Sequence, residues 1–341
     1  MVVRARPARV PAALAPPVQL MLARAVDVVP EPGALPGSCS YEMKYDGWRA
    51  SIHRGPERAS VCSRSGTDLT VRFPDVAAAV TAQVPPGTVL DGELVMLAGE
   101  RLDFTGLQRR IGASPTTLAR LVRAQPAYYV AFDVLAVAGI DVRARPLAER
   151  RALLEDLAAS WGPPLNLSPV TTDHATAVAM FEHADAAGAE GVVAKGLAEP
   201  YLPGVRGWAK VKRHRELDVI CAAVIGPITC PTVIVAGLPL DGELKVVGRT
   251  VPLSAAAVKA LVPHLVPARG VHPWPARLPS STVNGFGGNR EPVDLTLIEP
   301  LVVEVAADAA WSGRSFRHPL KTRRPRPDLD PAEVVLPDRL T

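Results

Sequence analysis

The stretch Tyr41-Glu42-Met43-Lys44-Tyr45-Asp46-Gly47-Trp48-Arg49 decides how the rest of this chain is read. Asp46-Gly47 is a strong turn signal, so a short strand over residues 40–44 is expected to end at Lys44, where the chain reverses. A lysine in that place points its amine into whatever cleft lies beyond the strand. Taken alone, K-x-D-G describes a hairpin with a solvated lysine more often than it describes a site; the segments that accompany it decide the matter.

Residues 88–95 read as a strand with an acidic pair around a glycine, Asp91-Gly92-Glu93, and residues 128–137 as an apolar strand with an embedded acid, Asp133. Carboxylates on apolar strands are costly to bury unpaired, so they need a metal, a basic partner or solvent. Glu190 opens another buried-looking strand over 190–195. Trp208-Ala209-Lys210-Val211-Lys212 alternates apolar and basic, which as a strand puts both lysines on one face. Two ammonium groups side by side repel by roughly a kcal/mol or more unless an anion lies between them. A strand over 59–63 delivers Arg64-Ser65-Gly66, which suits phosphate capture and, equally, an ordinary turn with an exposed arginine.

The 341 residues, 48% of them hydrophobic, suffice for two packed cores. The 35 prolines scatter among apolar runs, which predicts short rigid loops rather than a low-complexity linker. Residues 1–17 hold no acid and no secretory apolar core, and read as a flexible tail. Helices are expected over 73–83, 106–123, 146–159 and 176–187, the last ended by Gly188. From residue 217 the texture becomes β-branched, with strands over 219–225, 232–235 and 244–247, one helix over 254–264, a loop-rich stretch over 267–292 and a β pair over 295–305. Although residues 219–240 carry no charge, Pro227, Pro231 and Pro239 argue for two buried strands and a turn rather than a membrane span. Five short strands and a helix have the texture of a small oligonucleotide-binding barrel.

Cys39, Cys62, Cys221 and Cys230 show neither C-x-x-C nor histidine at ligand spacing, which implies a reducing cytoplasm and no zinc site. Net charge is only +4, but basic residues cluster at Arg206, Lys210, Lys212, Arg213 and Arg215, and again at Arg314, Arg317, Lys321, Arg323, Arg324 and Arg326. Each cluster alone could be a solvated surface; two together point to a phosphate-rich partner.

Lysine strand, two acid strands and twin-lysine strand suit one chemistry, attack of a lysine amine on the α-phosphorus of a nucleoside triphosphate. In order along the chain stand E-x-K-x-D-G-x-R (42–49), S-R-S-G (63–66), D-G-E (91–93), F-D-V-L (132–135), E-G-V-V-A-K (190–195) and W-x-K-x-K (208–212). In these motifs the chain resembles the ATP-dependent DNA ligases, in particular the stand-alone bacterial LigC type and the ligase part of LigD. The resemblance implies an α+β fold: an adenylation (nucleotidyltransferase) domain of ATP-grasp-like antiparallel sheets with helices over 18–215, then an all-β OB-fold domain with a basic C-terminal tail over 216–341. It also implies nick sealing between 3′-hydroxyl and 5′-phosphate ends in DNA repair, through a lysyl-AMP intermediate.

By that resemblance Lys44 carries AMP and Glu42 reads the adenine edge. Arg49 and Glu93 hold the ribose, Phe132 stacks on the purine, and Lys210 and Lys212 grip the α-phosphate. Glu93 and Glu190 hold a divalent ion, magnesium or manganese, while Asp46 sits near the 3′-hydroxyl and the metal. Arg64 takes the nick 5′-phosphate, and Arg206 joins it in binding DNA. Arg326 belongs to a final motif usually ending R-x-D-K, which here reads Arg326-Pro327-Asp328-Leu329, so its part in orienting pyrophosphate departs from the pattern. RNA ligases and GTP-using capping enzymes share the lysine and acids; the wording of D-G-E and E-G-V-V-A-K favours a DNA ligase. A non-catalytic DNA-binding scaffold is a further alternative, against which the intact charges speak. The expected partners are ATP, nicked duplex DNA and a separate repair polymerase or end-binding protein, with a monomeric, nucleoid-associated protein in the cytoplasm and no membrane.

An ordinary lysine titrates near 10.4, and lowering it by about two units needs about 2.7 kcal/mol. Like-charge repulsion from Lys210, Lys212, Arg49 and a bound cation is expected to supply this at Lys44.

Overall fold

In the computed structural model, which describes residues 8–99, 101–184, 188–284, 291–308, 311 and 314–337, the strands before and after Asp46-Gly47 belong to different sheets. Cys39–Lys44 pairs with Val170–Thr171 and Gly191–Gly196, whereas Trp48–Arg54 pairs with Ala59–Ser63 and Thr88–Ala98. The expected reversal at Lys44 is therefore corrected: residues 45–47 cross from one sheet to the other. A Cβ on Gly47 would lie 2.2 Å from the Leu94 carbonyl oxygen and 2.8 Å from Glu93 Cγ. Glycine is needed there for close approach to the Glu93 strand, not for a hairpin.

The chain divides into two units, Met1–Lys212 and Arg213–Thr341. The first holds a five-stranded sheet in the order Ala23–Ala25, Trp208–Lys212, Gly191–Gly196, Cys39–Lys44, Val170–Thr171. Its seven-stranded sheet runs Ala59–Ser63, Trp48–Arg54, Thr88–Ala98, Ala127–Val137, Ile140–Asp141, with Arg101–Leu102 and Leu165–Leu167 paired at the side. Side-chain alternation gives each sheet an apolar outer face. Tyr41, Val192, Ala194 and Ala209 pack with Ala177 of helix His174–His183. Ile52, Leu90, Leu94 and Val134 pack with Val76 and Val80 of helix Pro74–Gln83 and Leu154 of helix Leu147–Ala158. The alternate residues turn the other way, and with a third cluster around Met21, Leu135, Tyr201 and Trp208 they line the gap between the sheets.

Leu14, in a short 3₁₀ turn Ala12–Leu14, is fully buried in that third cluster. The flexible-tail expectation thus fails for the residues around it, because an apolar side chain lands in the core; residues 1–7 lie outside the described residues. The single helix expected over 106–123 is two, Phe104–Ile111 and Pro115–Ala124, each begun by a side-chain cap from Asp103 or Ser114. The helix expected to reach 187 is described as His174–His183, and 185–187 lie outside the described residues.

Asp133 finds its partner in Arg150. Arg150 Nε and Nη2 donate to the two Asp133 oxygens at 2.8 and 2.9 Å, and neither residue is more than 1% exposed.

In the second unit the sheet order is Glu243–Arg249, Val233–Leu240, His214–Ile225, Thr296–Asp308, Lys321–Pro325, antiparallel throughout. Its two outer strands meet through a parallel bridge between Thr250 and Leu320, where Val251 N–H donates to Leu320 O at 2.8 Å. The β pair expected over 295–305 is instead one long strand, paired with His214–Ile225 on one side and Lys321–Pro325 on the other. The stretch expected as loop contains a pairing of Arg277–Leu278 with Val293–Asp294 and a short helix Ser280–Asn284, and 285–290 lie outside the described residues. The expected 254–264 helix is Ala255–Leu261 followed by a 3₁₀ turn Val262–His264. Among the described residues no helix is long and apolar enough to cross a membrane.

Arg150→Met leaves Asp133 as an uncompensated buried charge. We expect a loss of about 3–5 kcal/mol, read as a lower urea midpoint for the unfolding of the first unit. A midpoint shift below 1 kcal/mol, roughly what an exposed pair shows, would contradict this reading.

Candidate functional site

Register places the charged residues of the five-stranded sheet on one face. Gly191 stands opposite both Lys44 and Lys212, and Val193 opposite both Glu42 and Lys210, so Glu42, Lys44, Lys210 and Lys212 project together into the gap. Gly191 has φ +148°, and a Cβ there would lie 2.0 Å from Val211 O. A side chain would force apart the strands carrying the lysines.

Glu190 precedes that glycine, and its N–H donates to Lys44 O at 2.8 Å. Its Oε2 accepts from Lys44 Nζ and lies 3.1 Å from Lys212 Nζ. Burial works against the charged carboxylate, but the Lys44 and Lys212 ammonium groups outweigh it and hold Glu190 below the usual carboxylate range. The anion between Lys44 and Lys212 is therefore a protein carboxylate, whereas the sequence leads one to expect it between Lys210 and Lys212. Lys44 is half of an ion pair with Glu190, and the group that clustered cations and burial push downward is Lys210. Burial comes first there, followed by Lys44 and Lys212, with Arg206 adding to it.

Opposite, the seven-stranded sheet presents Arg49 and Glu93 as direct cross-strand neighbours. Arg49 donates through Nε at 3.0 Å and Nη2 at 2.7 Å to both oxygens of Asp91, which is fully buried and also accepts from the Tyr201 hydroxyl at 2.7 Å. The same guanidinium lies 5.5 Å from the Phe132 ring centroid and 5.1 Å from that of Trp208. The Arg49 guanidinium is thus paired with Asp91. Burial lifts the Glu93 carboxyl to about 8, although Lys44 and Arg49 pull the other way. At the inner end of the cleft Glu42 accepts from Lys195 Nζ at 2.7 Å, both residues being buried.

Residues 20–212 match the ATP dependent DNA ligase domain family. DNA ligase C2 of Mycolicibacterium smegmatis is 36% identical over 333 residues, covering 92% of this chain and 92% of that relative. The chain belongs to the ATP-dependent DNA ligases. DNA ligase C of Mycobacterium tuberculosis is 34% identical over 336 residues, covering 93% of this chain and 92% of its own. Among solved structures, mycobacterial DNA ligase D complexed with ATP and MES matches 93% of this chain and 98% of its own, with a TM-score of 0.51 and 26% identity. The α+β ligase-domain fold expected from the motifs is the one observed.

Of the residues singled out in sequence, Glu42, Lys44, Arg49, Glu93, Phe132, Glu190, Lys210 and Lys212 come together around this ligase's cleft. Asp46 lies on the crossing between the sheets. Arg64 follows the Ala59–Ser63 strand with its side chain exposed, and its N–H donates to Arg49 O at 3.2 Å. Arg206 is exposed and reaches Ala23 O at 3.4 Å. Arg326 lies in the second unit, where it donates to Asp328 at 3.0 Å and stands 3.6 and 3.5 Å from Asp218 and Glu304. Sequence reasoning assigned no role to Asp91, Lys195, Tyr201 or Trp208. Asp91 and Lys195 stood inside quoted motifs, whereas nothing local marked Tyr201.

A carboxyl raised by folding contributes stability below its unfolded value near 4.5, and that contribution is lost as pH rises through about 8. The first unit of this ligase should therefore lose stability from Glu93 between about pH 5 and 8. Glu93→Gln should flatten that part of the urea-midpoint profile, and identical slopes in both proteins would rule the assignment out.

Proposed function

We propose that this DNA ligase joins a 3′-hydroxyl to a 5′-phosphate through AMP carried on Lys44. One observation carries the reading: the Lys44 amine faces a cleft in which a single carboxylate, Glu190, lies between it and Lys212, with the aromatic faces of Phe132 and Trp208 on the same side. In the first step a new N–P bond forms between Lys44 Nζ and the α-phosphorus of ATP, the bond to pyrophosphate breaks with its electron pair leaving on pyrophosphate, and the ammonium loses two of its three protons to solvent, so the phosphoramidate keeps one N–H. Lys210 and Lys212 stand on the same face, placed to hold negative charge as it develops on the α-phosphate. AMP then passes to the 5′-phosphate of a nick held by Arg64 and Arg206, and the 3′-hydroxyl, near Asp46, displaces it.

Glu42 is assigned to the adenine edge, Phe132 to the purine face, and Arg49 and Glu93 to the ribose. A divalent ion fits Glu93 and Glu190. Glu93 is a carboxyl pushed up by burial to which no side chain among the described residues donates, and no cluster of three or more acidic, histidine or cysteine ligands forms among them. The protein thus offers two carboxylates that would hold such an ion. When bound, such an ion would supply positive charge to the phosphates.

The second unit is assigned an OB-fold. Five antiparallel strands that close through the Thr250–Leu320 bridge, with helix Ala255–Leu261 between the third and fourth strands in chain order, support that assignment. Its basic strand Lys321–Pro325 and Arg326 are assigned to DNA and to the pyrophosphate. Repair, with a separate polymerase or end-binding protein, is the assigned setting.

Lys44→Ala should abolish covalent labelling by ATP radiolabelled in the α-phosphate, and Lys44→Arg should fail as well because a guanidinium stays protonated. Label on either variant would remove Lys44 from the role. Nick binding should weaken by about 10³-fold or more between 50 and 200 mM salt if six or more phosphates are contacted, and a flat salt response would contradict the DNA-facing assignment.

A further inference from the structure

Residues 14–23 run between the two loops whose arginines are assigned to the nick. At one end the Pro17 ring rests on Gly66, two residues after Arg64: a Cβ on Gly66 would lie 2.6 Å from Pro17 Cβ and 3.3 Å from its Cγ. Gly66 has φ +89°, and its N–H donates to Ser63 O at 2.9 Å. The turn that presents Arg64 therefore closes directly against this proline, at a position where only glycine leaves room.

At the other end, the loop carrying Arg206 is fastened to residues 19–23. Gly204 N–H donates to Leu20 O at 3.1 Å, Leu22 N–H to Val205 O at 2.8 Å, and Trp208 N–H to Leu22 O at 3.3 Å. The Gln19 amide lies over Gly204, where a Cβ would meet its Nε2 at 2.5 Å. Arg206 itself reaches Ala23 O. Leu14, Val18, Leu20 and Met21 are buried in the cluster between the sheets, so the stretch cannot swing away from either loop without exposing apolar surface.

The two sets of contacts are separated only by the chain from Pro17 to Leu20. Three residues of extended chain span at most about 10 Å, so the covalent backbone limits how far apart the two loops can stand. Both arginine side chains are exposed, and it is the backbones of their loops that set where the cations stand.

We infer that residues 17–20 are a brace that fixes the separation of Arg64 and Arg206, with Pro17 and Gln19 as positioning residues for the steps that take place on DNA. The inference rests on the reading of those two arginines as nick contacts. Lysyl-AMP formation engages neither arginine in that reading, so it does not depend on the brace.

Pro17 and Gln19 are themselves exposed, so Pro17→Gly and Gln19→Ala leave the core closed. Lysyl-AMP formation is read on the full chain from ATP radiolabelled in the α-phosphate, without DNA. AMP transfer is then read in a single turnover on a nicked duplex, starting from the adenylylated protein. Each variant should keep lysyl-AMP formation within about twofold of wild type and slow AMP transfer by about tenfold, as expected when a reacting phosphate is held out of place. Pro17→Ala should slow transfer in the same direction and serves where the glycine variant does not fold. In double-mutant cycles the effect of Pro17→Gly should disappear in an Arg64→Ala background and that of Gln19→Ala in an Arg206→Ala background, because each acts through its arginine. Transfer at the wild-type rate in either brace variant, an equal loss in both steps, or effects that simply add to those of the arginine variants would overturn the brace. Transfer at the wild-type rate in Arg64→Ala or Arg206→Ala would instead remove the nick-contact reading, and this inference with it.

Discussion

Two ammonium groups, Lys44 and Lys212, share the carboxylate of Glu190, and the rest of the first unit is arranged so that they can. Like charges on neighbouring strands repel unless an anion lies between them, and here that anion comes from the residue just before the strand joining them. Gly191 makes the approach possible, because any side chain there would run into the Val211 carbonyl. Removing the carboxylate would take this partner from both cations, and removing either cation would leave a buried acid short of a partner. The Lys44 amine is therefore held as half of an ion pair.

Around this triad lies a further set of polar groups. Asp91 fixes both arms of the Arg49 guanidinium and takes a third hydrogen bond from Tyr201, whose hydroxyl also accepts from Met21 N–H at 2.9 Å. Burial and the Asp91 charge push the Tyr201 phenol well above its ordinary range, so it remains a donor. Such a network leaves Arg49 little freedom over the Phe132 and Trp208 rings. Low local dielectric makes a satisfied network rigid and a partly satisfied one costly. The Asp133–Arg150 pair acts similarly further back, where Arg150 also donates to the carbonyls of Arg145 and Glu199 and so ties the outer helix to the loop before Tyr201.

Glycines mark where backbones must nearly touch. Gly47 lets the lysine segment press on the Glu93 strand, and Gly92 makes room for the Tyr129 ring, whose hydroxyl donates to Ala50 O. Both stood in the quoted motifs, yet their reason is packing between elements rather than turn geometry. That is why Asp46-Gly47 reads locally as a hairpin and serves in the fold as a crossing between two sheets.

Alternation along a strand is a local property, so the sequence alone was enough to put Lys210 and Lys212 on one face, Lys44 at a strand end and acids on or beside apolar strands at Glu93 and Glu190. The ordered motifs were likewise legible, and with them the family and its ligase-domain fold. Which cation meets which acid was not. Lys44 and Glu190 are 146 residues apart and Asp91 and Tyr201 110 apart, and only the pairing order of the sheets brings them together. Tertiary structure alone decided that Glu190 neutralises Lys44, that Asp91 occupies Arg49, that Lys195 holds Glu42 and that Leu14 belongs to the core. Hydrogen bonding between strands identifies a partner by backbone geometry, which almost any residue can satisfy, so the choice of partner is made by the packing of whole faces.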